Sequence, residues 1–227
     1  MDLNANFDER AIVHAGGEEW IPSPMQGVDR RMLDRIGDEV ARATSIVRYA
    51  PGSHFSAHTH TGGEEFLVLE GVFQDEHGDY PAGTYVRNPP TSSHTPGAEA
   101  GCVIFVKLWQ FDPEDRNQFS VDTLAAKREI DPNNPAIERL ELHSDAHEAV
   151  SMEWWQAGAE ITLDAPKGME VLVVNGSFTE AAEAFEYQSW LRLPVAGSAT
   201  VTAGPNGCTV WVKRNHLAIP PSAPTTA

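Results

Sequence analysis

Apolar residues along this chain come in short runs, each cut off by glycine, proline, asparagine or aspartate. In the first half such runs occupy residues 44–49, 66–73, 85–87 and 103–109, and residues 171–174 and 210–212 of the second half are of the same kind. The runs are rich in β-branched and aromatic side chains and too short for stable helices, which makes them strands. Short strands punctuated by turns predict an all-β fold, an antiparallel sandwich or small barrel. A short helical stretch is expected only around residues 120–127. Residues 218–227, with three prolines and no charged side chain, read as a mobile or loosely docked tail.

The pattern repeats once. Gly101-Cys102-Val-Ile-Phe-Val-Lys107 returns as Gly207-Cys208-Thr-Val-Trp-Val-Lys213, at an offset of 106. Gly71 and Gly176 are 105 apart, as are Pro89 and Pro194, and Gly52 and Gly158 are 106 apart. Landmarks in the same order at nearly constant spacing indicate a duplicated domain. The boundary is expected in residues 112–136, rich in Pro, Asn and Asp, which gives domains of 1–115 and 116–227.

Composition adds exclusions. With 227 residues, 41% hydrophobic and 22% charged, the chain has apolar material for real cores. The formal charge is -17, and both halves are acidic, so the surface repels phosphate backbones and no nucleic-acid partner is expected. No apolar run approaches the roughly 18 residues of a membrane-spanning helix, and no membrane association is expected. The first ten residues lack the basic and apolar regions of a secretion signal, so the expected location is cytoplasmic. Cys102 and Cys208 stand in matching contexts, as equivalent buried strand positions rather than as a bridge.

Candidate chemistry lies between residues 52 and 94, which hold five of the nine histidines. His58 and His60, one residue apart, share a side of an extended strand. Glu64, Phe66 and Val68 have the same parity, so an uninterrupted strand turns Glu64 toward the two histidines and Glu65 away. A bulge at Thr61-Gly62-Gly63 would exchange the two glutamates. His94, just beyond the Pro89-Pro90 corner, is the best fourth ligand. These four are side chains that first-row divalent metals take. His54 and His77 read as surface residues or as supports behind the ligands; of the two, His54, which shares the parity of His58, is the one that could line the cavity. His143 and His147, at i and i+4, could hold zinc only on a helix, and the residues between them read as a turn. Tyr49, Phe55, Phe73, Tyr85 and Phe105 are expected in the core or on the pocket wall.

Gly52, His58, His60, Glu64 and Gly71 fit the first motif of the cupin family, and Gly83, Pro89 and His94 fit its second, with Thr91 where the family usually has glycine. The chain thus resembles a bicupin of two tandem barrels. Residues 18–112 are more narrowly similar to the ChrR-type cupin domain, through Trp20-Ile-Pro-Ser-Pro-Met-Gln-Gly27, Ala43-Thr-Ser-Ile-Val-Arg-Tyr-Ala-Pro-Gly52 and Glu76-His-Gly-Asp-Tyr-Pro-Ala-Gly-Thr-Tyr85. In the second half Asp164 and Pro166 are expected at the places of His58 and His60, and Ala199 at that of His94. Glu170 aligns with Glu64 or Glu65. A second identical metal site is therefore not available.

The resemblance implies one divalent metal ion, with zinc expected first and iron, nickel or manganese as alternatives. Two functions follow. One is a regulatory metal protein that senses oxidants, as the ChrR anti-sigma factors do, with a sigma factor as partner. Their separate sigma-binding zinc domain has no counterpart in the fewer than 20 residues before Trp20, so inhibition of a sigma factor is not implied. The other is a metal-dependent dioxygenase acting on a small diketone or hydroxyacetophenone-like ligand, with Tyr49, Tyr85 or Arg87 orienting it if they face the cavity. A homodimer is compatible with either.

Overall fold

In the computed structural model, which describes residues 1–38 and 40–224, the apolar runs pair as antiparallel strands. The central strand Glu64–Asp75 begins with five buried residues in succession, and Thr84–Asn88 is buried throughout. Both faces of these strands are covered, so their sequences read as continuous apolar runs rather than as an alternation.

The described residues divide into two compact units, one of Met1–Ala5, Glu19–Ala125 and residues 222–224, the other of Asn6–Glu18 and Ala126–Pro221. In the first, the order across the sheet is Phe119–Asp122, Thr84–Asn88, Glu64–Asp75, Cys102–Leu108, Ala41–Tyr49, Val28–Gly37 and Ile21–Pro22. Two short pairs complete the barrel, Ser53–His54 with Gly97–Ala98 and His58–Thr59 with Ser93–His94. Phe66, Val68, Val86, Cys102, Ile104 and Val106 share one face and form the interior with Phe73 and Val47. In the second unit the order is Ala11–His14, Ser189–Leu193, Met169–Glu180, Gly197–Arg214, Ala149–Trp155, Asn134–Ser144 and Glu129–Asp131.

These units differ from the expected 1–115 and 116–227 at both edges. Ala11–His14 pairs with Ser189–Leu193, which carries residues 6–18 into the second unit. Phe119–Asp122 pairs with Thr84–Asn88, from Phe119 opposite Arg87 to Asp122 opposite Thr84, and stays with the first. The same strand corrects the expected helix at residues 120–127. An unpaired sheet edge was available to it, and Asp122 Oδ1 then accepts the amides of Leu124 (2.9 Å) and Ala125 (3.1 Å), turning the chain at once. Of the expected tail, residues 225–227 lie outside the described residues.

The repeat is visible in the register. Cys102 lies opposite Tyr49 and Gly71, and Cys208 opposite Trp155 and Gly176; both thiols are buried and free. Gly71 and Gly176 have φ of 71° and 73°, and a Cβ at either would run into the carbonyl oxygen of Gly101 or Gly207. Only glycine meets both demands. Glu65 lies opposite Arg87 and Lys107 in the first unit, and Glu170 opposite Arg192 and Lys213 in the second. Glu170 is therefore the counterpart of Glu65, and Met169 that of Glu64.

Candidate metal centre

His58 and His94 are brought face to face by pairing: His94 lies opposite His58 in the two-strand ladder His58–Thr59 and Ser93–His94. The ladder is extended by the His60 amide, which donates to Ser92 O (2.9 Å), and by the Thr91 amide, which donates to His60 O (2.9 Å). The chain then bends at Gly62-Gly63, where Gly63 has φ of 76°, and enters Glu64–Asp75 with its parity preserved. The ring centroids of the three histidines are 4.6–5.0 Å apart, and one ligating nitrogen of each lies within 4.8 Å of the others. Glu64 Oε2 is 3.3 Å from His60 Nε2 and 3.7 Å from His94 Nε2. His60, Glu64 and His94 are buried, while His58 is exposed and forms the solvent side of the cluster.

Each imidazole has its Nδ1 occupied. His58 Nδ1 is 3.3 Å from Ser56 O, His60 Nδ1 is 3.0 Å from Ser92 Oγ, and His94 Nδ1 is 3.2 Å from Asp75 Oδ2. A carbonyl and a carboxylate can only accept. Ser92 Oγ donates its proton to Pro89 O (2.6 Å), so it too accepts from the ring. All three neutral rings therefore carry hydrogen on Nδ1 and turn the Nε2 lone pair into the cluster. Nε2 of His60 and of His94 is buried without a hydrogen-bond partner. Buried polar atoms are rarely left so, and a shared cation is the chemistry that satisfies three lone pairs and a carboxylate at once. The donor set fits a divalent metal.

Burial pushes the Glu64 carboxyl up, but His60, His94 and the Asn88 amide outweigh it and hold the group below the usual carboxylate range. Burial, aided by His60 and His58 and opposed by Glu64 and Asp75, holds His94 below the ordinary imidazole value, so at neutral pH it keeps its lone pair. Burial, with the charge of Glu64, pushes the Tyr49 phenol well up.

The other candidates fall elsewhere. Glu65 points to the opposite sheet face, where it accepts from the Tyr85 hydroxyl (2.7 Å) and lies 3.6 Å from Arg87. Arg87 also reaches Asp115 (2.8 Å), so neither Tyr85 nor Arg87 faces the histidines. Strand parity turns both away. Tyr49 remains on the histidine side with Phe55 and Phe73, at ring distances of 5.3 and 5.9 Å. His54 pairs with Glu99 at the surface (2.8 Å) instead of lining the cluster. His143 sits in a strand and contacts Asp145 (3.1 Å), and His147 lies in the turn, so their spacing is not helical.

Sequence reasoning missed Asp75, Ser92 and Asn88. Asn88 lies opposite Glu64 and its amide donates to Glu64 Oε2 (3.3 Å). Nothing in their spacing marks them; they reach the site through register and the Pro89–Ser92 turn.

In the second unit Leu163 lies opposite Ala199, as His58 lies opposite His94. This register replaces the expected Asp164 and Pro166 with Leu163 and Ala165. The shift from an offset of 106 to 105 falls before this strand, not after it. With Met169 for Glu64, the four ligand positions are Leu163, Ala165, Met169 and Ala199, all buried in that unit's apolar core. No metal ligand remains among them.

The family model for the ChrR Cupin-like domain matches residues 8–112. Among curated proteins, none is similar in sequence. Three solved structures share the fold. A "putative dioxygenase" from Nostoc punctiforme aligns over 100% of this chain and 86% of its own at 13% identity and a TM-score of 0.72. The bacterial pirin YhhW of Escherichia coli, solved in complex with nickel(II), aligns over 91% and 99% at 11% identity and a TM-score of 0.63. A cupin 2 conserved barrel domain protein from Leptotrichia buccalis aligns over 86% and 92% at 11% identity and a TM-score of 0.57. Residues 8–112 thus match the ChrR cupin-like family, and the chain as a whole has the fold of an all-β pair of tandem cupin barrels.

Proposed function

We propose that the leading barrel binds one divalent metal ion through Nε2 of His58, His60 and His94 and a carboxylate oxygen of Glu64, and that a small molecule is bound and transformed there. The observation that carries this reading is the hydrogen-bond acceptor beside Nδ1 of each of the three histidines, which leaves Nε2 to face the cluster. Three neutral imidazoles and one carboxylate leave a net charge of about +1 with the ion bound. A six-coordinate iron, manganese or nickel ion supplies Lewis acidity and two positions for ligands, whereas zinc with four protein donors tends to be closed. Around it the chain supplies an aromatic wall of Tyr49, Phe55 and Phe73 and an open side at His58. Asn88 steadies the Glu64 carboxylate. This favours a metal-dependent dioxygenase type of function.

A second reading, an oxidant-sensing regulator that works through a protein partner such as a sigma factor, is favoured by the family match of residues 8–112. Elemental analysis of the purified protein, followed by anaerobic iron loading and dioxygen uptake with small diketones and hydroxyacetophenones, separates the two. The enzyme reading expects one metal per chain and substrate-dependent uptake. Bound metal without uptake, together with retention of a sigma factor, would favour the regulator. His94→Ala is expected to abolish metal binding, and unchanged metal content in that variant would remove the ligand assignment on which both depend.

A further inference from the structure

Beside the histidine cluster the first unit contains a cavity of about 310 Å³ that no part of the argument above uses. Tyr80, Val86, Asn88, Gln118, Phe119 and Ser120 line it, together with His77. It is tied to the candidate centre by two of its own wall residues. Asn88 donates to Glu64 Oε2 (3.3 Å), and Tyr80 is hydrogen-bonded to Asp75, the carboxylate that holds His94. The carboxamides of Asn88 and Gln118 are themselves joined, Gln118 Nε2 donating to Asn88 Oδ1 (3.2 Å). A ligand in this space therefore touches Asn88, one hydrogen bond from Glu64, and Tyr80, two hydrogen bonds from His94.

The lining is also chemically selective. It offers two carboxamides, a phenol, a hydroxyl and, at its exposed rim, the imidazole of His77 against the apolar surfaces of Val86 and Phe119, and no lysine or arginine is among its residues. Asp75 stands behind Tyr80, and the chain carries a formal charge of -17. An anion placed here gives up part of its hydration without meeting a lysine or arginine in the wall. A neutral, flat molecule with a carbonyl or amide group loses little and gains directional partners. Pockets for small ligands begin at about this size.

We propose that this cavity is a binding subsite for small neutral molecules that bear a carbonyl or amide group, and that it selects against carboxylates of the same shape. The proposal deepens the metal-centre reading and rests on it for the role of the bound molecule. Benzamide and benzoate, nearly identical in shape, serve as probes.

The test is a titration of zinc-loaded, 15N-labelled protein, followed at the side-chain amide signals of Asn88 and Gln118. Benzamide is expected to shift both signals saturably and benzoate to bind at least tenfold more weakly by the same readout. Ser120→Trp fills the cavity from its exposed rim and is expected to weaken the benzamide response at least tenfold. Benzoate that moves these signals as readily as benzamide, or a response that survives Ser120→Trp, would overturn the proposal. Zinc content measured on each sample separates the two ideas. Stoichiometric zinc that depends on His94, without a benzamide response, defeats the subsite and leaves the metal centre standing. Absence of zinc defeats the metal centre itself.

Discussion

At the scale of single residues, the site depends as much on what holds the histidines as on the histidines. Besides its hydrogen bond with Tyr80, Asp75 does two things with its two oxygens. Oδ1 accepts the amides of His77 (2.8 Å) and Gly78 (3.2 Å) and closes the hairpin turn, while Oδ2 accepts from His94 Nδ1. Asp75→Asn keeps the first function through its carbonyl oxygen but turns an NH2 toward His94. The ring must then accept at Nδ1 and carry its proton on Nε2, aimed at the metal position. Loss of such a partner typically costs 10–100-fold in metal affinity, and about that loss of zinc affinity is expected for Asp75→Asn, with a smaller loss for Ser92→Ala. Competition against a chelating dye measures the affinity, and long-range 15N–1H correlation of the metal-free protein reports the tautomer. Wild-type affinity in Asp75→Asn would mean that the carboxylate does not set the ring. The ligand candidates were legible in the sequence because alternate strand positions share a face. Their partners were not, since Asp75 and Ser92 approach from other strands and turns and carry no spacing signal. Tyr85 was legible as buried, but the face that it and Arg87 take was not, because a strand covered on both sides does not display its inner parity.

At the scale of elements, the corner that delivers His94 is under identifiable strain. The Ser92 amide donates to Pro89 O (3.1 Å), which makes Pro89–Ser92 a tight turn with Pro90 at its second position and Thr91, at φ of 78°, at its third. That third position with positive φ normally takes glycine. A β-branched residue there costs about 1–2 kcal/mol through its Cβ, and a glycine costs about 0.5–1 kcal/mol of chain entropy. Thr91 is exposed, so its side chain has little burial to lose. Thr91→Gly is therefore expected to stabilise the metal-free protein by about 1 kcal/mol in urea denaturation, with zinc affinity unchanged. A destabilised variant would show that the threonine contributes contacts that outweigh the backbone strain. The departure from glycine at this position was visible in the sequence, but its φ was not. The two edge strands show the other limit. Residues 119–122 join a run of helix formers, Leu124-Ala125-Ala126-Lys127, and only the vacant edge of Thr84–Asn88 decides for strand. Ala11–His14 finds its partner in Ser189–Leu193, far along the chain, where local pattern has no reach.

At the scale of the whole molecule, duplication kept the scaffold and discarded the chemistry of one copy. The two barrels preserve the strained glycines, the buried cysteines and the buried Glu–Arg–Lys positions, Glu65, Arg87 and Lys107 in one and Glu170, Arg192 and Lys213 in the other. They differ where the first presents four ligand candidates and the second packs Leu163, Ala165, Met169 and Ala199. An apolar core cannot be turned into a metal site by any rotation of those side chains, so at these equivalent positions the proposed ion has ligands only in the leading barrel. Zinc at about 100 times its dissociation constant stabilises the state that binds it by about 2.7 kcal/mol, close to a hundredfold slowing of any opening that releases the ion. Hydrogen exchange followed by mass spectrometry is expected to show that slowing in peptides covering residues 58–64 and 91–94. Peptides covering residues 163–169 and 197–201 should exchange as in the metal-free protein. Protection in the second set would mean that zinc is held by residues other than the four named, whereas protection of the first set alone ties the ion to the barrel whose histidines are poised for it.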